Sequence, residues 1–305
     1  MRVVEPDFIV FGAAKCATTW LQTRLQRHPR VAMPAAELHY FSREHARGDR
    51  WYFGRLAKAA AGHPGAGRGL VVGEKSNSYL HEAGAAGRIA ERFPCVRLIA
   101  QFRDPVERAY SDYCMLFRRG EVGRDIARHL DPRVAAGDRF LRWSRYDEQI
   151  EPFLDLFSRD RLLLLDADGV RADPAAHLGR VQDFLGLERH DLVMCAGGRD
   201  VRVKDRSAAT LPPAWRRRLS PLKPWVEPLR GTAPFAALHR SIARPPDYPP
   251  LPDELRERMR DHLAPHMMRF AALTGLDAGH WLPDRAKAIL RSQSGFAAAH
   301  LQARA

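Results

Sequence analysis

Residues Asp7–Leu25 read DFIVFGAAKCATTWLQTRL, and this stretch decides the fold. The apolar run Phe8–Phe11 predicts a buried strand, and the apolar spacing that begins at Thr18 predicts a helix as far as His28. Small residues surround Lys15 in the turn between the two. Since a helix N-terminus has unpaired backbone N–H groups and partial positive charge, this strand, turn and helix predict a site for an anion.

The rest of the chain repeats this alternation of strands and helices. Short apolar runs with polar ends predict further buried strands at Leu70–Val72, Val96–Phe102 and Arg161–Leu165. Helical patterns occupy Pro105–Arg119, Ala175–Leu185 with Gly186 as its C-cap, and Pro252–Leu273. The alternation predicts an α/β, P-loop-like three-layer fold with a central parallel sheet flanked by helices.

The domain organisation is predicted from length and composition. The chain has 305 residues, which we interpret as one domain over 1–285 followed by a basic tail over 286–305. Residues 211–252 hold much of the proline and break the alternation, so we expect a lid, an insertion or a linker there.

Charge and cysteine usage limit the partners and the compartment. The chain has 49 Lys+Arg against 36 Asp+Glu, and this excess of +13 favours an anionic partner. The four cysteines form no CxxC pair and show no zinc spacing, so we expect reduced thiols and no metal. We see no signal peptide and no apolar run long enough to span a membrane, and we therefore expect a cytoplasmic protein.

The anion loop differs from the Walker A loop of ATP-binding proteins. That loop is GxxxxGK[ST], whereas here Lys15 comes early, a second glycine is absent and paired threonines, Thr18 and Thr19, open the helix. Both threonine hydroxyls and the lysine charge suit a phosphate-like group. No evident acidic ligand for magnesium follows a later strand.

The loop AKCATT at 14–19 resembles the PKxGTT loop of the sulfotransferase family, which binds the 5′-phosphosulfate of 3′-phosphoadenosine 5′-phosphosulfate (PAPS). Alanine stands at 14, where the family often has proline, and Ala17 stands where glycine is usual. That second change tightens the loop if the position needs a positive φ. The resemblance assigns donor binding to residues of one stretch: Lys15, Cys16, Ala17, Thr18, Thr19 and Trp20. Stacking on adenine and packing in the core are both open for Trp20.

A second element, RDPVERAYSDY at 103–113, follows the predicted strand Val96–Phe102. An arginine at the carboxyl end of a parallel strand faces the crevice where α/β folds bind ligands, and its planar fork suits a phosphate. The element resembles the 3′-phosphate-binding segment of the same family, with Arg103 and Ser111 at the matching positions.

The segment Glu37–Phe41 contains a carboxylate and an imidazole two residues apart. Glu37 and His39 share one side if the segment is extended, and either could accept a proton from a hydroxyl. The segment resembles the E-x-H-F-F stretch of the heparan-sulfate-type branch, which implies that Glu37 is the catalytic base and His39 a supporting or acceptor-contacting residue.

The segment Gly73–Tyr79 resembles the E-K-S/T-x-x-Y-F segment of the same family. The resemblance implies that Lys75 faces the acceptor and the transferred group. Glu74 is a rival to Glu37 as the base, and its alternative role is an ion pair that orients Lys75. Further along, Lys204 and Arg206 stand where the family has a basic loop that closes over the nucleotide.

These resemblances together imply a PAPS-dependent sulfotransferase of class EC 2.8.2, which releases 3′,5′-ADP and needs no metal. The implied acceptor is a hydroxyl or amine, with a carbohydrate favoured over a glycolipid or a secondary metabolite. Two alternatives stay open: a kinase that uses ATP and magnesium, and a non-enzymatic nucleic-acid-binding protein suggested by the charge. We expect no nucleic-acid partner, and the sequence leaves the oligomeric state open.

Overall fold

The structure is a computed structural model that describes residues 3–66, 69–135, 137–193, 245–284 and 286. By internal contacts the chain forms two compact units. The first contains the described parts of Met1–Pro105, Arg145–Val201 and Ala264–Ala305, and the second contains those of Val106–Ser144 and Arg202–Leu263. The predicted single domain over 1–285 stays a prediction.

The first unit is built on five parallel strands. They are β1 (Phe8–Gly12), β2 (Val31–Ala32), β3 (Val71–Lys75), β4 (Arg97–Phe102) and β5 (Leu162–Asp166). Their order in the sheet is β2-β3-β1-β4-β5, and each neighbouring pair runs parallel. The predicted α/β fold with a central parallel sheet is therefore confirmed, and β1 lies at its centre.

The helices connect the strands. They are α1 (Thr18–Leu25), α2 (Gly48–Ala61), α3 (Ala85–Arg92), α4 (Pro105–Arg119), α5 (Ala127–Leu130), α6 (Pro132–Ala135), α7 (Arg139–Arg142), α8 (Tyr146–Leu156), α9 (Gly169–Ala172), α10 (Pro174–Leu185) and α11 (Asp253–Thr274). Single 3₁₀ turns occur at His45–Arg47, Arg159–Arg161 and Gly279–Trp281. The predicted bounds of α4 agree with those observed, and α10 ends as predicted at Gly186, which has φ 66°.

The sheet of the first unit is covered on both faces because side chains alternate along each strand. Phe8 and Val10 of β1 belong to a core cluster with α1 and α10. Phe11, the residue after Val10, packs against Phe153 of α8, with ring centroids 4.4 Å apart. On β4, Phe102 packs against Phe270 of α11 at 4.7 Å. Helices thus flank the sheet in three layers, as predicted.

The second unit contains most of α4, the short helices α5 to α7 and the first part of α11. Arg108 of α4 is buried, and its Nε donates to Ser144 Oγ at 2.8 Å. Asp112, also buried, accepts from Arg139 Nη2 at 3.1 Å. Arg108 Nη1 also lies 3.6 Å from Asp112 Oδ2, so the second arginine of the RDPVER stretch has a structural role inside this unit.

Two predicted features lie wholly or mostly outside the described residues. Of the proline-rich segment 211–252, only 245–252 is described, and it contains no helix or strand. The basic tail 286–305 is described at Ala286 alone. Within the part of the chain that the structure describes, no helix is long and apolar enough to span a membrane.

Candidate active site

The loop between β1 and α1 is held by the neighbouring strand β4. The backbone N–H of Ala13 donates to the Gln101 carbonyl at 2.8 Å, and Gln101 Nε2 donates to the Cys16 carbonyl at 2.9 Å. Arg103 Nη1 lies 3.5 Å from the Lys15 carbonyl oxygen. Side chains in β4 and directly after it thus bind two carbonyl groups of the loop, and these contacts fix the path of the loop ahead of α1.

Two loop residues, Lys15 and Ala17, have left-handed backbones, with φ of 72° and 59°. Ala17 is the N-cap of α1, and its side chain makes no capping hydrogen bond. Ala17 therefore adopts a positive φ, a conformation for which glycine is the usual residue. A helix that begins without a side-chain cap leaves the N–H groups of its first turn for an anion.

The side chains of the loop residues and of the first turn of α1 differ in their exposure to solvent. Thr19 is exposed at the start of α1, whereas Thr18 and the Cys16 side chain are buried. Cys16 Sγ lies 3.5 Å from Tyr146 Oη, and its backbone N–H donates to the Ala13 carbonyl at 3.3 Å. Cys16 thus contributes to the shape of the loop.

Trp20 is part of the core. It is 7% exposed, belongs to the cluster beneath β1 and meets the His177 ring edge-on at 6.0 Å. Of the two alternatives for this residue, the geometry favours packing in the core over stacking on a nucleotide base.

Glu37 and Lys75 form the ion pair at the centre of the site. Lys75 Nζ donates to Glu37 Oε1 at 2.6 Å and to Thr19 Oγ1 at 3.3 Å. The Lys75 side chain is 1% exposed and that of Glu37 is 25% exposed. Lys75 therefore links the first turn of α1 to the carboxylate that the sequence resemblance predicts as the base.

Asn77 also binds Glu37, although it was not among the residues predicted for the site. Its backbone N–H donates to Glu37 Oε2 at 3.1 Å, and its Nδ2 donates to Oε1 at 3.3 Å. A signal was available, because Asn77 lies two residues after Lys75 in the same motif. The two residues together hold both carboxylate oxygens in one orientation.

His39 lies beside Glu37, but the segment between them is not extended. His39 has φ 51°, so the extended conformation that would put both side chains on one side does not occur. The turn nevertheless brings His39 Nε2 to 3.6 Å from Glu37 Oε2, while Nδ1 lies 2.7 Å from Ser78 Oγ. Burial lowers the pKa of His39, and the negative charge of Glu37 opposes this shift only in part. Burial therefore favours the neutral imidazole.

Glu74 lies in the core and does not pair with Lys75. Its side chain is fully buried, and the hydroxyls of Tyr79, Ser76 and Tyr52 donate to it at 2.7, 2.7 and 3.2 Å. Burial raises its pKa to about 7, against the effect of these hydrogen bonds. The interpretation of Glu74 as the ion-pair partner of Lys75 was wrong, because adjacent residues of a strand point to opposite faces.

The residues predicted to bind the nucleotide outside this loop lie in different parts of the chain. Arg103 follows β4 in the first unit, beside Lys15. Ser111 lies on α4 in the second unit and is half-buried. Lys204 and Arg206 lie outside the described residues.

One group among the described residues has the geometry to hold a cation. His280 Nε2 lies 3.1 Å from Asp166 Oδ2 and 3.5 Å from Asp168 Oδ2, near the carboxyl end of β5. All three side chains are partly exposed. Exposed acidic groups of this kind are common without an ion.

Comparison with known proteins identifies the family. The sequence matches the sulfotransferase family over residues 39–191, half of the chain. The chain belongs to the sulfotransferase family. This match begins at His39, beside the Glu37–Lys75 pair, and extends beyond α10. The resemblance noted in the sequence is thereby confirmed, and the enzyme class is that of EC 2.8.2.

Two relatives and one solved structure place this sulfotransferase more closely. The mouse heparan sulfate glucosamine 3-O-sulfotransferase 6 is 28% identical over 279 residues, which are 90% of this chain and 73% of the relative. The mouse heparan sulfate glucosamine 3-O-sulfotransferase 3B1 is 33% identical over 190 residues, 60% of this chain and 47% of the relative. A crystal structure of a sulfotransferase from Alicyclobacillus acidocaldarius superposes with a TM-score of 0.64 at 21% identity. It covers 92% of this chain and 99% of its own, and it shows that the fold is shared.

Membership of this family bears on the alternatives. It implies PAPS as the sulfuryl donor and a nucleophilic acceptor as the second substrate. It favours a sulfotransferase over both the ATP-dependent kinase and the nucleic-acid-binding protein.

Proposed function

We propose that this sulfotransferase moves the sulfuryl group of PAPS to a carbohydrate hydroxyl, with Glu37 as the general base. The observation that carries the proposal is the chain of contacts from Thr19 through Lys75 to Glu37. Two hydrogen bonds thus join the first turn of α1, at the proposed donor site, to a partly exposed carboxylate. In-line transfer needs this arrangement, because donor and base must flank the reacting sulfur.

The donor side of the proposal rests on the loop before α1. The uncapped helix N-terminus and the hydroxyls of Thr18 and Thr19 would hold the 5′-phosphosulfate. Lys15 would stabilise negative charge on the bridging oxygen as the sulfur–oxygen bond breaks. Arg103, at the carboxyl end of β4, would bind the 3′-phosphate as a planar fork. Ser111, Lys204 and Arg206 stay predicted donor ligands.

The base side rests on Glu37 and its partners. The acceptor hydroxyl oxygen forms the new bond to sulfur, its proton passes to Glu37, and 3′,5′-ADP leaves with the bridging oxygen. Lys75 and Asn77 hold the two carboxylate oxygens, so that the carboxylate needs little reorientation before it accepts the proton. His39, whose Nε2 lies 3.6 Å from Glu37 Oε2, would contact the acceptor hydroxyl.

Two observations support a carbohydrate acceptor: the names of the relatives and the positive charge of this chain. The relatives described above carry names that specify heparan sulfate glucosamine as their acceptor. In this chain, the net charge of +13 suits a polyanionic glycan. Arg43 is 67% exposed four residues after His39, and its charge contributes to lowering the pKa of His39. A cation is therefore within electrostatic reach of the proposed acceptor site.

The test is transfer of labelled sulfuryl from PAPS, in EDTA, to heparan sulfate, a neutral polysaccharide, a glycolipid and a small phenol. We expect label on the polysaccharides, with the charged one favoured, and loss of transfer in Glu37→Gln. The matched control is Glu91→Gln, since Glu91 is an exposed carboxylate on α3. Transfer to the phenol alone would reject the carbohydrate acceptor, and full activity of Glu37→Gln would reject the base.

A further inference from the structure

Glu74 is a fully buried carboxyl group beneath the active site, and the proposed mechanism gives it no step. Its oxygens accept hydrogen bonds from three hydroxyls: Ser76 on Oε2, and Tyr79 and Tyr52 on Oε1. A buried carboxyl group is costly unless such partners satisfy it. Its position in the core excludes direct contact with an acceptor, so any role in the reaction must pass through one of these hydroxyls.

Ser76 is the hydroxyl that leads to the active site. Its Oγ accepts from the backbone N–H of Leu38 at 3.1 Å and from that of His39 at 2.9 Å. A serine hydroxyl has two acceptor lone pairs and one proton. Because the two N–H groups occupy both lone pairs, the hydroxyl can take part in the third bond only as a donor, and Glu74 Oε2 at 2.7 Å accepts that proton.

The segment that Ser76 holds is the one that carries the proposed base. His39 has a left-handed backbone with φ 51°, which a residue other than glycine keeps only when its surroundings hold it. The two bonds to Ser76 hold the N–H groups of the two consecutive peptide units that flank Leu38, which are Glu37–Leu38 and Leu38–His39. They therefore set where the Glu37 and His39 side chains meet, with 3.6 Å between Oε2 and Nε2.

We infer that Glu74 is a positioning residue for sulfuryl transfer, which acts through the Ser76 hydroxyl to fix the backbone of Leu38 and His39. This inference rests on the proposed roles of Glu37 and His39. A carboxylate at position 74 orients the Ser76 proton inward and leaves both lone pairs to the segment. The resulting turn presents Glu37 to the acceptor, so a change at Glu74 alters turnover without touching the donor loop.

The test compares Ser76→Ala, Glu74→Gln and the double variant with the wild type. In Glu74→Gln the side-chain N–H₂ group can face Ser76, which has no lone pair left to accept from it. Otherwise it faces the hydroxyls of Tyr52 and Tyr79, which must then rotate from donors to acceptors. We expect kcat to fall about tenfold to a hundredfold in each single variant, with the Kd for 3′,5′-ADP unchanged. The double variant should lose no more than the worse single variant, because both act through one contact.

Hydrogen exchange supplies a readout that does not depend on the acceptor. The amides of Leu38 and His39 should exchange at least about tenfold faster in Ser76→Ala and Glu74→Gln, because their acceptor is lost or reoriented. Tyr52→Phe is the matched control, since it removes one hydroxyl from Glu74 but leaves Ser76 in place. It should keep both the wild-type kcat and the wild-type exchange rates.

The outcomes separate the inference from the proposed function. Unchanged exchange at Leu38 and His39 in Glu74→Gln would overturn the inference, whatever happens to turnover. Additive losses of kcat in the double variant would assign Glu74 an independent chemical role and would also overturn it. Failure of the wild type to bind 3′,5′-ADP would instead count against the proposed function.

Discussion

Replacement of Glu37 by glutamine should impair two properties of the enzyme, and a second substitution should separate them. Glutamine keeps the shape of the side chain but cannot take the acceptor proton. It also removes the negative charge that lies 2.6 Å from Lys75 Nζ. Because the Lys75 side chain is 1% exposed, its charge would then lie in the core without a carboxylate.

The sizes of the two effects follow from the burial of each partner. Loss of a general base lowers kcat by about a hundredfold to ten-thousandfold. Breaking a fully buried ion pair costs about 3–5 kcal/mol. Glu37 is a quarter exposed, and a glutamine oxygen can still accept from Lys75, so we expect a free energy of unfolding lower by about 2–3 kcal/mol. This corresponds to a fall in Tm of about 3–5 °C for a chain of 305 residues.

The assay combines thermal unfolding with transfer of labelled sulfuryl in the wild type, Glu37→Gln and Lys75→Met/Glu37→Gln. The double variant has no unpaired charge in the core, so it should regain most of the stability while staying inactive. Near-normal turnover in Glu37→Gln would refute the assignment of the base. A double variant as unstable as Glu37→Gln would refute the account of the ion pair.

Three further substitutions test the surroundings of the site. Ala17→Gly should raise the free energy of unfolding by about 0.5–1 kcal/mol, because φ 59° strains alanine more than glycine. Chemical denaturation measures this free energy, and a lower value in the variant would mean that the methyl group stabilises the fold more by packing than it costs in strain. Burial lowers the pKa of His177 to about 4 in the folded chain. As the pH falls below about 6.5, the unfolded chain therefore binds a proton at this histidine that the folded chain does not bind. The wild type should therefore lose about 3 kcal/mol through this group between pH 6.5 and 4, and His177→Gln should show a flatter profile; parallel profiles would exclude the effect. Arg103→Ala should weaken 3′,5′-ADP about tenfold to a hundredfold in calorimetry and leave 5′-ADP nearly unaffected, whereas equal weakening of both would deny Arg103 the 3′-phosphate.

The sequence predicted the elements that carry motifs better than those that do not. The bounds of α4 were predicted correctly, since Pro105 marks its start. The helix predicted as far as His28 ends at Leu25, and the two-residue strand β2 was not predicted. Two residues are too few for a periodic signal, and β2 exists because Val31 and Ala32 pair with β3.

The candidate site shows the same division between local and long-range information. The motifs supplied Glu37, His39 and Lys75, but not the contacts among them. The strand predicted at Leu70–Val72 ended before Glu74, whereas β3 extends to Lys75, so the alternation that points Glu74 and Lys75 apart was not predicted. The left-handed turn at His39 and the contact with Asn77 depend on segments about 40 residues distant in the chain, which local patterns do not report.

The central claim is that the loop before α1 binds the nucleotide of PAPS. Calorimetric titration with 3′,5′-ADP and with 5′-ADP, both in EDTA, tests it most directly. The account predicts that 3′,5′-ADP binds the wild type more tightly, that Lys15→Ala loses this binding, and that Lys58→Ala, which changes an exposed lysine on α2, retains it. Equal affinity for the two nucleotides, or unchanged binding in Lys15→Ala, would contradict it.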